Sequence, residues 1–131
     1  MIVDDASPEP IRVECLREHD SILRLESRSG AAVARNRGIK NSKGKLIYLM
    51  DSDDYIVERD FDLDFEKYSN SNQLWYSQIL SQGLSKKYPE KVTLDNFFDY
   101  IFCKYPHICQ TSSLFFSKDI DLQFDESLPK H

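Results

Sequence analysis

The fold is decided by one stretch of the chain, Leu46-Ile47-Tyr48-Leu49-Met50-Asp51-Ser52-Asp53-Asp54. Its apolar run is long enough for a buried strand and too short for a typical helix or a membrane span. The carboxylates follow at the end of this strand, which is where open α/β sheets bind ligands. Because Asp51 and Asp53 are two positions apart, both side chains can point the same way. Such a pair suits Mg²⁺ or Mn²⁺, and the alternative interpretation is a solvated acidic turn.

Two further motifs precede this stretch. Val3-Asp4-Asp5-Ala6-Ser7 places two aspartates after a short apolar run, and Ala34-Arg35-Asn36-Arg37-Gly38 lies in a helix-like segment. Together with Asp51-Ser52-Asp53-Asp54, they resemble the V-D-D-x-S, A-R-N-x-G and D-S-D-D motifs of the family 2 glycosyltransferases. Each motif alone is weakly specific, but the three in this order and spacing are specific to that family.

The resemblance implies an α/β fold. The expected architecture is an incomplete GT-A (Rossmann-like) nucleotide-sugar-binding domain, with a mixed sheet flanked by helices. We expect one partial glycosyltransferase domain over residues 1–131. Within it, residues 1–56 would form the nucleotide- and metal-binding part, and residues 57–131 would begin the acceptor-side part.

The resemblance also implies an activity. Relatives transfer a sugar, with inversion, from a nucleotide-sugar donor to a polysaccharide or lipopolysaccharide-type acceptor, which can be a glycan or a lipid-linked molecule. We expect a UDP-sugar donor and an Mg²⁺ or Mn²⁺ cofactor, because a divalent ion stabilises the negative charge that builds on the departing diphosphate. The alternative is a non-catalytic fragment, or a nucleotide-sugar-binding subunit of a split enzyme that needs a complementing chain.

The site residues are expected from the same motifs. Asp53 would be the first metal ligand, and Asp51 would face the ribose or the metal. Asp5 would accept a hydrogen bond from a uracil-type N–H. Without the resemblance, Arg35 would be interpreted as a surface cation on a helix; with it, Arg35 complements the base or the phosphates. The resemblance thus assigns the nucleotide to Asp4, Asp5, Arg35 and Asp51 and the metal to Asp53 and Asp51.

Both ends of the chain depart from the family pattern. Relatives carry an apolar strand and a helix before the V-D-D strand, whereas here Met1 lies inside that second strand. Their general base is a carboxylate in an E/Q-D-W-D-like motif after an F-D-E-S segment. Here that segment is Phe124-Asp125-Glu126-Ser127, and the base would lie beyond His131. We therefore assign no catalytic residue and leave open whether the chain alone is an enzyme.

The composition of the chain indicates which kinds of partner it can bind and in which cellular compartment it is expected. A net charge of −5 and a pI near 5.1 argue against a nucleic-acid partner. Cys15, Cys103 and Cys109 are odd in number and form no C-x-x-C pair, which favours free thiols over zinc ligands. With no long apolar stretch and no secretory signal, we expect a cytoplasmic protein, with the inner face of a membrane as a further expected location.

Local patterns predict the remaining elements. Ser29 or Gly30 can cap the start of a helix over 31–42, and Gly44 stands where a left-handed C-terminal cap is expected. Residues 11–16 fit either a strand or a short helix. The other predictions are strands at 2–5, 21–25, 75–80 and 110–117, an amphipathic helix at 94–105 and a turn at 124–128.

Overall fold

The computed structural model describes residues 1–56, 65–76, 80–81, 84–85 and 111–128. Helices and strands both occur in this part of the chain, in the order β-β-α-β-α-β-β-β-β, which confirms the predicted α/β class. The helices are α1 (Ala31–Asn41) and α2 (Phe65–Ser69). The strands are β1 (Ile2–Asp4), β2 (Ile22–Arg24), β3 (Leu46–Tyr48), β4 (Leu74–Tyr76), β5 (Leu80–Ser81), β6 (Leu84–Ser85) and β7 (Leu114–Ser117).

The chain divides into two compact units. The first contains Met1–Lys45 together with Ile120–His131, and the second contains Leu46–Asp119. The C-terminal segment therefore belongs to the same unit as the N-terminal strand. The expected functional division at residue 56 stays a prediction, because a compact unit is defined by packing and a functional part by what it binds.

In the first unit, β1 and β2 form a parallel pair, with Val3 opposite Leu23. Helix α1 packs on β1 at Gly38. A Cβ at this position would lie 3.2 Å from Cγ2 of Val3, so the absence of a side chain allows the close approach of helix and strand.

Helix α1 begins after Gly30, whose φ of 94° lies in the region that glycine adopts without strain. It ends differently from the prediction, because Ser42 is the C-cap and has an extended conformation. The Ser42 hydroxyl donates to the carbonyl of Ile39, and the Asn41 amide donates to that of Arg37, both at 2.8 Å. These side chains satisfy carbonyls of the last turn, so the predicted left-handed cap at Gly44 is wrong.

In the second unit, β7 is the central strand of an antiparallel sheet with the order β3-β7-β4. Its hydrophobic core contains Ile47, Phe115 and Phe116, and Phe116 is fully buried. Tyr68 of α2 meets the Phe115 ring edge-on, with centroids 5.0 Å apart. Strands β5 and β6 form a separate antiparallel pair.

Several local predictions can be compared with these elements. The strands expected at 2–5 and 21–25 are represented by β1 and β2, each shorter than predicted. The strand expected at 75–80 overlaps β4, and residues 77–79 lie outside the described residues. The strand expected from residue 110 begins only at Leu114, because Thr111–Ser113 form a 3₁₀ turn. Residues 11–16 form neither a strand nor a helix. The helix predicted at 94–105 lies outside the described residues.

In the part of the chain that the structure describes, no helix has the length and apolar character needed to cross a membrane.

Candidate functional site

The loop that follows β1 is built around the carboxylate of Asp4, which is 1% exposed. One carboxylate oxygen accepts the N–H of Ser7 at 2.9 Å, and the other accepts the guanidinium of Arg24 and the N–H of Ile11. Arg24 stands directly opposite Asp4 on β2 and also donates to the carbonyl of Ser7 at 2.7 Å. Asp4 therefore ties the loop to both strands.

These hydrogen bonds explain two local properties of the loop. The backbone N–H of Ser7 is the largest cause that lowers the pKa of Asp4, which falls to about 2. The Ser7 side chain, Arg24 and the N–H of Ile11 lower this pKa further, whereas burial acts in the opposite direction. Ala6 has a φ of 52°, a left-handed conformation that costs a non-glycine residue about 1–2 kcal/mol. The bond from Ser7 to Asp4 spans Ala6 and holds it in this conformation.

Asp5 connects the same loop to helix α1. Its two carboxylate oxygens accept the backbone N–H groups of Ser29, at 2.6 Å, and of Gly30, at 2.8 Å. Gly30 has no side chain that could cap the helix, so a carboxylate from the loop after β1 lies at the positive end of α1. Asp5 is half-buried at the start of α1.

Arg35 and Asn36, which are neighbours in α1, both contact the segment near residue 124. The guanidinium carbon of Arg35 lies 5.5 Å from the centroid of the Phe124 ring. The Asn36 amide accepts the N–H of Phe124 at 2.8 Å and donates to its carbonyl at 2.9 Å and to Glu126 at 2.8 Å. The A-R-N motif and the F-D-E-S segment, far apart in sequence, therefore meet.

The second unit carries the acidic turn that follows β3. The N–H of Asp54 donates to the carbonyl of Asp51 at 3.2 Å, which closes a turn that includes Asp53. The Thr111 hydroxyl donates to the Asp51 carboxylate at 3.3 Å, and the Asp51 N–H donates to the Ser112 hydroxyl at 3.2 Å. The 3₁₀ turn before β7 thus orients Asp51, whereas Asp53 and Asp54 are exposed.

This turn offers donors that suit a hard divalent cation. Among the residues that the structure describes, no group of three or more His, Cys, Asp or Glu side chains is placed to hold a metal ion. Mg²⁺, however, is commonly bound by one or two carboxylates together with substrate phosphates. The two carboxylates of Asp51 and Asp53, in one turn, fit that mode of binding.

The predicted site residues thus fall into two groups. Asp4, Asp5 and Arg35 belong to the first unit, and Asp51 and Asp53 belong to the second. Sequence reasoning missed Asn36, Thr111 and Ser112 as supporting residues. Asn36 lies within the A-R-N motif, and Thr111 and Ser112 lie within the strand predicted at 110–117, but no local pattern indicated which distant residue each side chain would contact.

The first unit has a strand followed by an aspartate-rich loop that caps a helix, and the second unit has a strand followed by an acidic turn. Both features are typical of the class of α/β proteins, which bind ligands at strand ends. Comparison with known families gives the particular assignment. The family model described as Glycosyl transferase family 2 matches residues 1–120, and the chain belongs to this family. Its small sheets and flanking helices form part of a Rossmann-like GT-A domain.

Individual relatives carry glycosyltransferase names. An uncharacterised glycosyltransferase of Rickettsia felis is 32% identical over 116 residues, which are 85% of this chain and 19% of that protein. A similar protein of Rickettsia bellii is 30% identical over 116 residues. TuaG of Bacillus subtilis, a glycosyltransferase provisionally named for teichuronic acid biosynthesis, is 39% identical over 59 residues, 41% of this chain and 23% of TuaG.

The chain thus spans about a fifth of the length of the curated relatives it matches. No solved structure matches it.

Proposed function

We propose that this chain binds a nucleotide-sugar donor, preferentially a UDP-sugar, together with Mg²⁺ or Mn²⁺, as the donor-binding part of a glycosyltransferase. The observation that carries the proposal is the pair of aspartate-rich loops at the ends of β1 and β3, each held by hydrogen bonds from neighbouring backbone or side chains. Because the chain belongs to a glycosyltransferase family, we interpret these loops as the donor-binding loops.

Each proposed residue has a distinct role. Asp5 accepts a hydrogen bond from the base, and Arg35 complements the charge of the nucleotide. Asp51 and Asp53 would hold the divalent ion, with Asp51 also facing the ribose. Asp4 is 1% exposed, whereas Asp5 is half-buried, so we propose that Asp4 acts on the nucleotide by fixing the loop that carries the more accessible Asp5.

We further propose that full-length relatives transfer the sugar with inversion to a polysaccharide or lipopolysaccharide-type acceptor. A bound divalent ion supplies Lewis-acid stabilisation of the departing diphosphate. This chain's own residues bind and orient the donor: Asp5 and Arg35 fix the nucleotide, and Thr111 holds the carboxylate of Asp51 in place. Orienting the donor in this way lowers the entropic cost of reaching the transition state.

A second candidate is a donor-binding subunit that depends on a complementing chain for the general base. Two observations favour it. Asp125 accepts the N–H and hydroxyl of Ser127, and these bonds lower the pKa of Asp125. Glu126 accepts the amide of Asn36. In the part of the chain that the structure describes, these two carboxylates therefore support the local fold and are not poised to deprotonate an acceptor hydroxyl.

We also infer a cytoplasmic location. Cys15 is exposed and unpaired, and a free surface thiol is typical of a reducing compartment.

Calorimetric titration of the 131-residue chain with UDP, with and without Mn²⁺, tests the donor site. We expect Mn²⁺-dependent binding that is lost in Asp53→Ala and in the Asp51→Ala/Asp53→Ala double variant. Asp119→Ala, an exposed aspartate of the same unit, is the matched control and should bind as the unaltered chain does. Unchanged Mn²⁺-dependent affinity in Asp53→Ala would refute the metal assignment, and no binding by the unaltered chain would refute the donor site.

A further inference from the structure

The side-chain amide of Asn36 makes three hydrogen bonds to one short segment. Its amide oxygen accepts the N–H of Phe124, and its amide nitrogen donates to the carbonyl of Phe124 and to the carboxylate of Glu126. The distances are 2.8, 2.9 and 2.8 Å, so all three bonds have normal lengths. Both N–H donors of the amide are used. Two of the bonds go to backbone atoms of residue 124. Asn36 therefore fixes the position of that residue regardless of which side chain residue 124 carries.

The side chain at that fixed position is the partner of Arg35. The Phe124 ring centroid lies 5.5 Å from the guanidinium carbon, within the range of a cation–π interaction. Asn36 and Arg35 are adjacent in α1, so one residue holds the backbone of Phe124 while the other lies over its ring. If the backbone of residue 124 moves, the guanidinium loses its contact with the Phe124 ring.

We propose that Asn36 is a positioning residue for nucleotide binding: it places the Phe124 ring against Arg35 and thereby orients the guanidinium toward the nucleotide. This inference rests on the proposed function, in which Arg35 contacts the nucleotide. An oriented guanidinium presents its N–H donors in one plane with fixed directions, and less side-chain entropy is lost when the ligand binds.

The link continues to the loop after β1. The same helix begins at Ser29 and Gly30, whose N–H groups donate to Asp5. Helix α1 therefore has Asp5 at its N-terminus and the Phe124 contact about one and a half turns further on. The two proposed nucleotide contacts of the first unit, Asp5 and Arg35, are held by one rigid element.

Four variants test the inference by UDP affinity at saturating Mn²⁺. Asn36→Ala removes the three hydrogen bonds, whereas Phe124→Leu keeps the backbone partners of Asn36 and removes only the ring. We expect each to weaken UDP binding about two- to fivefold, the range of a partly exposed cation–π contact. We expect a larger loss from Arg35→Ala. Asn41→Ala is the matched control on the same helix, because its amide bonds within the helix, to the carbonyl of Arg37.

A double-mutant cycle distinguishes positioning from a general loss of structure. If Asn36 acts through Arg35, then Asn36→Ala should cause no further loss of affinity in the Arg35→Ala background. Hydrogen exchange at the Phe124 amide, which donates to Asn36, should accelerate in Asn36→Ala and stay slow in Phe124→Leu. If Asn36→Ala does not fold, Asn36→Asp, which keeps an acceptor for the Phe124 N–H and removes both donors, provides the comparison for Asn36, and Phe124→Leu combined with Arg35→Ala provides it for the ring.

Three outcomes would overturn the inference. The first is unchanged UDP affinity in Asn36→Ala or Phe124→Leu. The second is a full additional loss when Asn36→Ala is combined with Arg35→Ala. The third is unchanged affinity in Arg35→Ala, which would leave the proposed roles of Asp51 and Asp53 intact. Absence of UDP binding by the unaltered chain is a different result, because it refutes the proposed function and this inference together.

Discussion

The carboxylate of Asp51 is oriented by residues that lie some 60 positions further along the chain. Thr111 donates its hydroxyl to one carboxylate oxygen, and Ser112 accepts the backbone N–H of the same aspartate. Such outer partners fix the direction in which a carboxylate presents its lone pairs to a metal ion. The local sequence around Asp51 predicted a candidate ligand, but the hydroxyl groups that orient it come from the turn before another strand.

The first prediction concerns Thr111. In Thr111→Val, a methyl group replaces the hydroxyl at nearly constant volume, so the carboxylate loses its donor. We expect Mn²⁺-dependent UDP binding to weaken about 10- to 100-fold, the usual effect of removing an outer partner of a metal ligand. Thr111→Ser keeps the hydroxyl and should retain most of the affinity. Equal affinities of the valine and serine variants, measured by calorimetry, would show that the hydroxyl does not orient Asp51.

Helix α1 is the element that organises the first unit. At its N-terminus, the N–H of Gly30 donates to Asp5, and in its middle Asn36 holds the backbone of Phe124. Gly38 permits the helix to contact β1. The sequence predicted the bounds of this helix to within one residue, because small residues recur on one face and a glycine precedes it. It did not predict the C-terminal cap correctly, because Ser42 and Asn41 bond to the last carbonyls and make a glycine cap unnecessary.

The second prediction concerns Gly38. Alanine is favoured over glycine in a helix by about 1 kcal/mol, but the added methyl group would lie 3.2 Å from Cγ2 of Val3. The β-branched side chain of Val3 is stiff and cannot rotate away easily, so we expect Gly38→Ala to lower the free energy of unfolding. In the Val3→Ala background the contact is absent, and Gly38→Ala should raise the free energy of unfolding by ~1 kcal/mol.

Urea unfolding followed by circular dichroism measures both effects. The sign reversal between the two backgrounds is the decisive result, because the propensity of alanine is the same in each. Stabilisation by Gly38→Ala in the unaltered chain would show that helix and strand can separate slightly without cost, and that close approach at this glycine is not required.

At the scale of the whole molecule, the two units are stabilised by different interactions. The buried hydrophobic side chains found in the described residues, Ile47, Phe115 and Phe116, all belong to the second unit. In the first unit, the most buried group is the carboxylate of Asp4, and hydrogen bonds to Asp4, Asp5 and Asn36 connect its elements. The described part of the first unit therefore depends on the charge of its carboxylates for the connections between its elements.

The third prediction follows from this difference. The pKa of Asp4 is about 2 in the folded chain, against an ordinary value of 3.8 for an aspartate in an unfolded chain. A lowered pKa stabilises the fold fully above pH 3.8, and this stabilisation is lost as the pH falls through about 2. The amides of Ser7 and Ile11 donate to Asp4, and we expect their hydrogen exchange to accelerate as the pH falls. This acceleration should occur at a higher pH than the unfolding of the second unit, which Trp75 fluorescence reports.

Asp4→Asn provides the comparison for the acid transition. The variant lacks the carboxylate, so the difference in its free energy of unfolding from the unaltered chain should shrink as the pH falls from about 4 toward 2. Asp119→Asn, which changes an exposed aspartate of the second unit, should leave the acid transition of Ser7 and Ile11 where it was. A constant difference between Asp4→Asn and the unaltered chain across this range would show that the Asp4 charge does not stabilise the first unit.

The sequence alone determined the family, the α/β class and the aspartates at the strand ends, because apolar runs followed by carboxylates are local patterns and the three motifs occur in family order. Tertiary structure decided which groups those residues contact. Asn36 holds Phe124, Asp5 caps α1, and Thr111 holds Asp51. Each of these hydrogen bonds joins residues more than 20 positions apart, and its geometry depends on strand pairing and helix packing, which short-range patterns do not encode.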